Sequence, residues 1–156
     1  MKDLSIMVDS VRFNYRVGLL IKKGNQILIE CNDTLDYSVF PGGRVKLLED
    51  SLGALMREIK EEMHLSLDKE KCKLKALLEN FYEYDDYKVH EMYILYEIEL
   101  EKDFKNIEDG MRNMDSDTNY YRWVDFDKIR DVKMLPDCLY EVVESNKFIN
   151  KVERSI

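Results

Sequence analysis

Gly43 to Leu65 reads GRVKLLEDSLGALMREIKEEMHL. The turn-forming run Pro41-Gly42-Gly43 leads into it. Leu52, Leu55, Met56, Ile59 and Met63 then recur at helical spacing, which predicts an amphipathic helix with its stripe in a core. Asp50 or Ser51 can cap the start of that helix. Glu58, Glu61 and Glu62 stand at i, i+3 and i+4 and so share one helix face. Carboxylates grouped this way repel one another unless a cation lies among them, and a hard divalent ion such as Mg²⁺ takes such an all-oxygen environment. A solvated Glu- and Lys-rich face, eased by Arg57 and Lys60, is the alternative for the bare triplet. The glycine pair upstream and the offsets of Glu49 and Arg57 favour the metal.

Those offsets resemble the Nudix hydrolase family. Its box runs G, five residues, E, seven residues, REU, one residue, EE, one residue, GU, with U a bulky aliphatic. Gly43, Glu49, Arg57, Glu58, Ile59, Glu61, Glu62 and Leu65 match in register. Two positions depart. His64 stands where the family has Gly, and Leu48 where many members have Gly. A Gly after a helix usually takes a left-handed conformation, which His visits more readily than most residues, at about 1 kcal/mol. No ligand is lost there. Leu48 removes freedom from the loop that presents Glu49.

The 156 residues suit one domain, residues 1–156, and are enough to bury about 70% of the unfolded surface. The net charge of −8, from 24 basic and 32 acidic residues, disfavours a general binder of nucleic acid polymers. It leaves room for a phosphate substrate, because bound cations invert the local sign of an acidic site. Cys31, Cys72 and Cys138 form no CxxC pair and suit free thiols in a reducing compartment. No run approaches the roughly 20 apolar residues that span a bilayer, and the start MKDLSIMVDS carries no secretory signal. A soluble cytoplasmic protein is expected, with no membrane partner.

Strands are expected over Val11 to Lys22 and Gln26 to Cys31, joined by a hairpin at Lys23-Gly24-Asn25. A short strand, Ser38 to Phe40, leads into the box. Cys72 to Tyr84 and Val89 to Leu100 follow as strands around a turn at Tyr84-Asp85-Asp86-Tyr87. Glu101 to Asn119 is a loop long enough to suspect function. Tyr120 to Val124 is a strand and Asp125 to Arg130 a short helix. Pro136 starts a last helix that buries Leu139, Val142 and Val143. Residues from about Lys151 are expected to fray. Strands, a helix, more strands and then helices argue for an α/β or α+β sandwich with a mixed sheet. The resemblance implies the α/β/α sandwich of the family, with the box as a loop–helix–loop motif.

The resemblance also implies the chemistry: Mg²⁺-dependent hydrolysis, Mn²⁺ being an alternative ion, of a nucleoside diphosphate linked to another group X. X ranges over phosphate, ADP-ribose's sugar, nucleotide sugars and dinucleoside polyphosphates. Glu58, Glu62, Glu61 and Glu49, with the Gly43 carbonyl, are the expected metal ligands. Glu58, Glu61 and Arg57 are the expected catalytic residues, Arg57 by orienting Glu49 through a bidentate pair. Gly42, Arg44 and Tyr82 are candidates for substrate binding. The general base is left open among the box glutamates and loop acids, with Asp115 and Asp117 foremost and Glu108, Asp109 and Glu91 behind them. His90 and His64, the only histidines, have no expected catalytic role. A homodimer is common in the family, and nothing in the sequence locates an interface. The competing function, motivated by Leu48 and His64, is a domain that binds a nucleotide as a sensor without turnover. A purely structural acidic helix is a third reading.

Overall fold

The computed structural model describes Met1 to Ile156. Its strands are β1 (Ser5–Val8), β2 (Val11–Lys23), β3 (Gln26–Asn32), β4 (Gly42–Arg44), β5 (Lys73–Tyr84), β6 (Tyr87–Leu100), β7 (Asn119–Asp125) and β8 (Ile149–Arg154). Two α-helices, α1 (Ser51–Met63) and α2 (Leu139–Glu144), and two short 3₁₀ helices, Lys69–Lys71 and Phe126–Asp131, complete the chain. All eight strands join one mixed sheet in the order β7-β3-β2-β6-β5-β8, with β1 and β4 pairing on β2. β2 runs parallel to β6 from Val11–Lys88 to Lys23–Leu100, and β5 runs parallel to β8. The other pairings are antiparallel.

Alternation along β2 builds the layers, because successive side chains leave a strand on opposite faces. Val17, Leu19 and Ile21 meet Leu55, Ile59 and Met63 of α1 in one core cluster. Leu20 points the other way, into a second cluster with Leu78, Leu95 and the α2 residues Leu139, Val142 and Val143. A helix covers each face of the sheet, which is the α/β/α sandwich expected. No helix is long and apolar enough to cross a membrane.

Three local expectations are corrected, and one strand is additional. The short strand lies at Gly42–Arg44 rather than Ser38 to Phe40, where Ser38 and Val39 make only single bridges to Met134 and Glu30. Glycine makes this pairing possible, since a Cβ on Gly42 would lie 2.1 Å from the Val17 carbonyl oxygen. The last helix begins at Leu139, so Pro136 precedes it instead of opening it. The tail does not fray from Lys151, because β8 pairs with β5 from Ala76–Ile149 to Phe81–Arg154. β1, in the first ten residues, was not expected, and pairs Ser5 to Val8 with Asn14 to Val11.

Candidate active site

The site grows from the start of α1. Asp50 caps the helix, its Oδ1 accepting from the Gly53 N–H at 2.8 Å. Leu48, just upstream, is held at φ 65°, and His64 closes the helix in a left-handed cap at φ 53°, ψ 35°. Both departures from the box therefore occupy the conformation for which glycine is the default. Between them Arg57 ties loop to helix. Its Nε donates to Glu49 Oε1 at 2.8 Å and its Nη2 to Glu49 Oε2 at 3.0 Å. Nη2 also donates to the Arg44 carbonyl at 3.1 Å, and Nη1 to Glu58 at 2.7 Å and Glu61 at 3.3 Å. Hydrogen bonding from Arg57 holds the Glu49 carboxyl below the usual carboxylate range, against a smaller effect of burial.

Glu58 lies on Gly43. A Cβ at Gly43 would fall 2.4 Å from Glu58 Cδ, so only glycine leaves room for the carboxylate there. One turn on, Glu62 is 9% exposed and accepts from the Tyr121 hydroxyl at 3.3 Å. Burial, with Glu30 and Glu58 as like-charged neighbours, pushes its carboxyl up to about 8. Burial likewise raises Glu58 and Glu30. No three His, Cys, Asp or Glu side chains form a closed metal cage. Mg²⁺ does not ask for one: it takes one or two carboxylates, keeps waters and completes its shell with phosphate oxygens. An all-oxygen set of crowded, partly buried carboxyls fits such an ion.

A polar pocket of about 390 Å³, with no hydrophobic residue in its lining, opens beside this face. Glu58, Glu61, Asp3 and Asp115 supply its acids. Arg16, Arg44, Lys46 and Arg57 supply its cations, with Gly43 between. A larger groove of about 710 Å³ runs along α1 past Lys60, His64 and Leu67, and shares only Arg57 and Glu61 with the pocket.

Among the base candidates, Asp115 lines the pocket. The Met114 N–H donates to the Glu62 carbonyl at 2.7 Å and brings the adjoining Asp115 to the helix. Asp117 is exposed and does not line it. Asp109 is occupied elsewhere, accepting from the Trp123 N–H at 2.8 Å. Tyr82 lines no part of the pocket, and its hydroxyl donates to Glu91 at 3.3 Å.

Sequence reasoning missed Arg16, Glu30, Asn113 and Asn119. Glu30 is 6% exposed and accepts from Asn119 Nδ2 at 2.6 Å and Asn113 Nδ2 at 3.3 Å. These bonds fasten the long loop behind Glu62. A charged residue inside the apolar run Ile27-Leu28-Ile29-Glu30 was the available signal, since buried charge is rare unless it is partnered.

The NUDIX domain family model matches residues 12–144 of the chain. The chain belongs to the Nudix family. It is therefore a Nudix hydrolase, acting on the diphosphate bonds of small nucleotide derivatives. The fold agrees. A MutT protein from Bacillus halodurans superposes with a TM-score of 0.70 at 15% identity, covering 88% of this chain and 86% of that one. A MutT Nudix hydrolase from Burkholderia pseudomallei gives 0.65 at 20% identity over 86% and 98%. The Ap4A hydrolase of C. elegans gives 0.55 at 18% identity over 83% and 92%. No curated protein matches the sequence significantly.

Proposed function

We propose that this Nudix hydrolase is a Mg²⁺-dependent pyrophosphohydrolase that splits a nucleoside diphosphate from a linked group X. The convergence of Glu58, Glu61, Arg57 and Gly43 on one wholly polar pocket, with Glu62 buried beside Glu58, carries this reading. Glu58, Glu62, Glu61 and Glu49 with the Gly43 carbonyl would hold the ion, Mn²⁺ substituting. When bound, the ion neutralises the diphosphate and acidifies a water for attack on phosphorus.

The chain's own residues supply position. Arg57 locks Glu49 to the helix, so the loop carboxylate and the helical ones keep one geometry. Gly43 admits the Glu58 carboxylate against the backbone. Asp115 takes the proton of the attacking water, its place in the pocket supporting it over Asp117. The whole chain, residues 1–156, acts as one unit through its single sheet. The free thiols Cys31, Cys72 and Cys138 support a cytoplasmic setting.

The test is a substrate panel, run with Mg²⁺, with Mn²⁺ and with EDTA. It includes nucleoside triphosphates, ADP-ribose, nucleotide sugars and diadenosine polyphosphates. Metal-dependent cleavage of one class, abolished in Glu62→Gln, is expected. Unchanged turnover in Glu62→Gln would remove the metal assignment. Silence across the panel with a metal-dependent thermal shift would favour the sensor.

A further inference from the structure

Three cations of the pocket make no ion pair. The chain's ion pairs use Lys22, Arg57, Arg112, Arg130, Lys133 and Lys151. Arg16, Arg44 and Lys46 line the pocket and join none of them. In a chain of net charge −8, carboxylates to pair with are plentiful. Asp3 even stands across a backbone bridge from Lys46 without an ion pair.

Their arrangement is also costly. Arg16 and Arg44 are direct partners across the antiparallel β2–β4 pair, so the two side chains leave the sheet on the same side. Like charges directly opposite destabilise such a pair. Lys46 lies two residues beyond Arg44, with the fully buried Val45 between, so it shares Arg44's side of an extended segment. Gly43 and Val45 face α1, and Arg44 and Lys46 face away. The pocket thus wraps the β4 edge, with the carboxylates of α1 on one side and three unpaired cations on the other. Arg16 lies over the Tyr93 ring, 5.6 Å from its centroid, with the carboxylates of Glu91 and Glu30 nearby, so Arg44 and Lys46 are the cations left to an anion, and cations gathered this way suit phosphate oxygens. The lining has no apolar residue on which a base or sugar could rest.

We propose that Arg44 and Lys46 seat a phosphate chain carried by X, so that the substrates are nucleoside tri- or polyphosphates in preference to nucleoside diphosphates linked to a neutral sugar. This rests on the pocket being the hydrolytic site proposed above, and it extends that reading to the leaving side of the substrate.

The experiment has a binding arm and a turnover arm. Metal-free full-length protein is titrated calorimetrically with inorganic tripolyphosphate and with pyrophosphate at low salt. Tripolyphosphate is expected to bind one site about tenfold or more tighter than pyrophosphate. Arg44→Gln and Lys46→Gln, both at solvent-reachable positions, should each weaken it about tenfold, while the distant exposed Lys128→Gln changes nothing. In the turnover arm, kcat/KM with Mg²⁺ should favour a nucleoside triphosphate over ADP-ribose, and both pocket variants should narrow that preference. Tripolyphosphate binding that ignores Arg44→Gln and Lys46→Gln overturns the inference. So does Mg²⁺-dependent turnover, lost in Glu62→Gln, that prefers ADP-ribose; the proposed function would survive that result. Cation-dependent tripolyphosphate binding with no hydrolysis of any substrate would instead remove the proposed function and leave the anion seat standing.

Discussion

Arg57 grips both oxygens of Glu49, across eight positions of chain that span the loop and the first turns of α1. The fork makes loop and helix one rigid unit, which an ammonium cannot do. Arg57→Lys keeps the charge and loses the fork. It should lower kcat/KM by about a hundredfold, the order expected when a catalytic carboxylate shifts by an ångström. Steady-state kinetics beside an unchanged circular dichroism spectrum would check this; near-normal turnover would show that Glu49 needs no such clamp.

Glu62 links pH to stability. Its folded carboxyl is raised to about 8 from an ordinary 4.5, chiefly by burial and then by Glu30 and Glu58. Between those values the native state holds a proton that the unfolded chain has released. The stabilisation is therefore complete below about pH 4.5 and fades as pH rises through about 8. Metal-free protein should melt lower at pH 8 than at pH 6. Added Mg²⁺ should recover more at pH 8, where the proton competes less. Glu62→Gln should flatten the metal-free profile and abolish the Mg²⁺ shift, both read by calorimetry with EDTA or MgCl₂.

Gly43→Ala puts a methyl 2.4 Å from Glu58 Cδ. The carboxylate must move, and its 2.7 Å bond from Arg57 Nη1 is disturbed with it. Activity should fall about tenfold or more with little change in melting temperature, because the added methyl disturbs the site more than a core. A normal kcat for this variant would mean that Glu58 tolerates displacement.

Leu48 is 90% exposed and sits at φ 65°, so its side chain gives little packing to set against backbone strain. Leu48→Gly should stabilise the protein, and His64→Gly, at φ 53°, should do the same. Each gain is at most about 1 kcal/mol, or roughly 2–4 °C, offset in part by the entropy that glycine adds to the unfolded chain. The two should add, being at opposite ends of α1. Lower melting temperatures would show that these side chains hold the loops.

Truncation before Ile149 removes β8 and exposes the edge of β5. Lys75, 2% exposed, would also lose the surroundings that fix its bonds to the Ser145 and Lys147 carbonyls. The melting temperature should fall by more than about 5 °C, checked by thermal denaturation of the shortened chain. A tail that frays would leave it unchanged.

Much of this was legible along the chain. The stripe of α1, its Asp50 cap, the β2–β3 hairpin and the left-handed position of His64 depend on residues a few places apart, so periodicity and turn chemistry reveal them. The three box carboxylates that Arg57 binds, Glu49, Glu58 and Glu61, lie within one loop and helix for the same reason. β8 was misread because its partner, β5, is some 70 residues away, and parallel pairing of distant strands leaves no local trace. The β4 position depended on how closely Gly42 approaches Val17, a tertiary contact. That Asp115 and not Asp117 lines the pocket depends on the loop held by the Met114–Glu62 bond, and the partners of Glu30 are asparagines in a distant stretch of chain. Arg16 looked like any charge in a strand until antiparallel register set it opposite Arg44. Local spacing specified the family, the helix and its carboxylates. Long-range register specified which charges face them, since a residue's neighbours across a sheet are chosen by the packing of the whole chain.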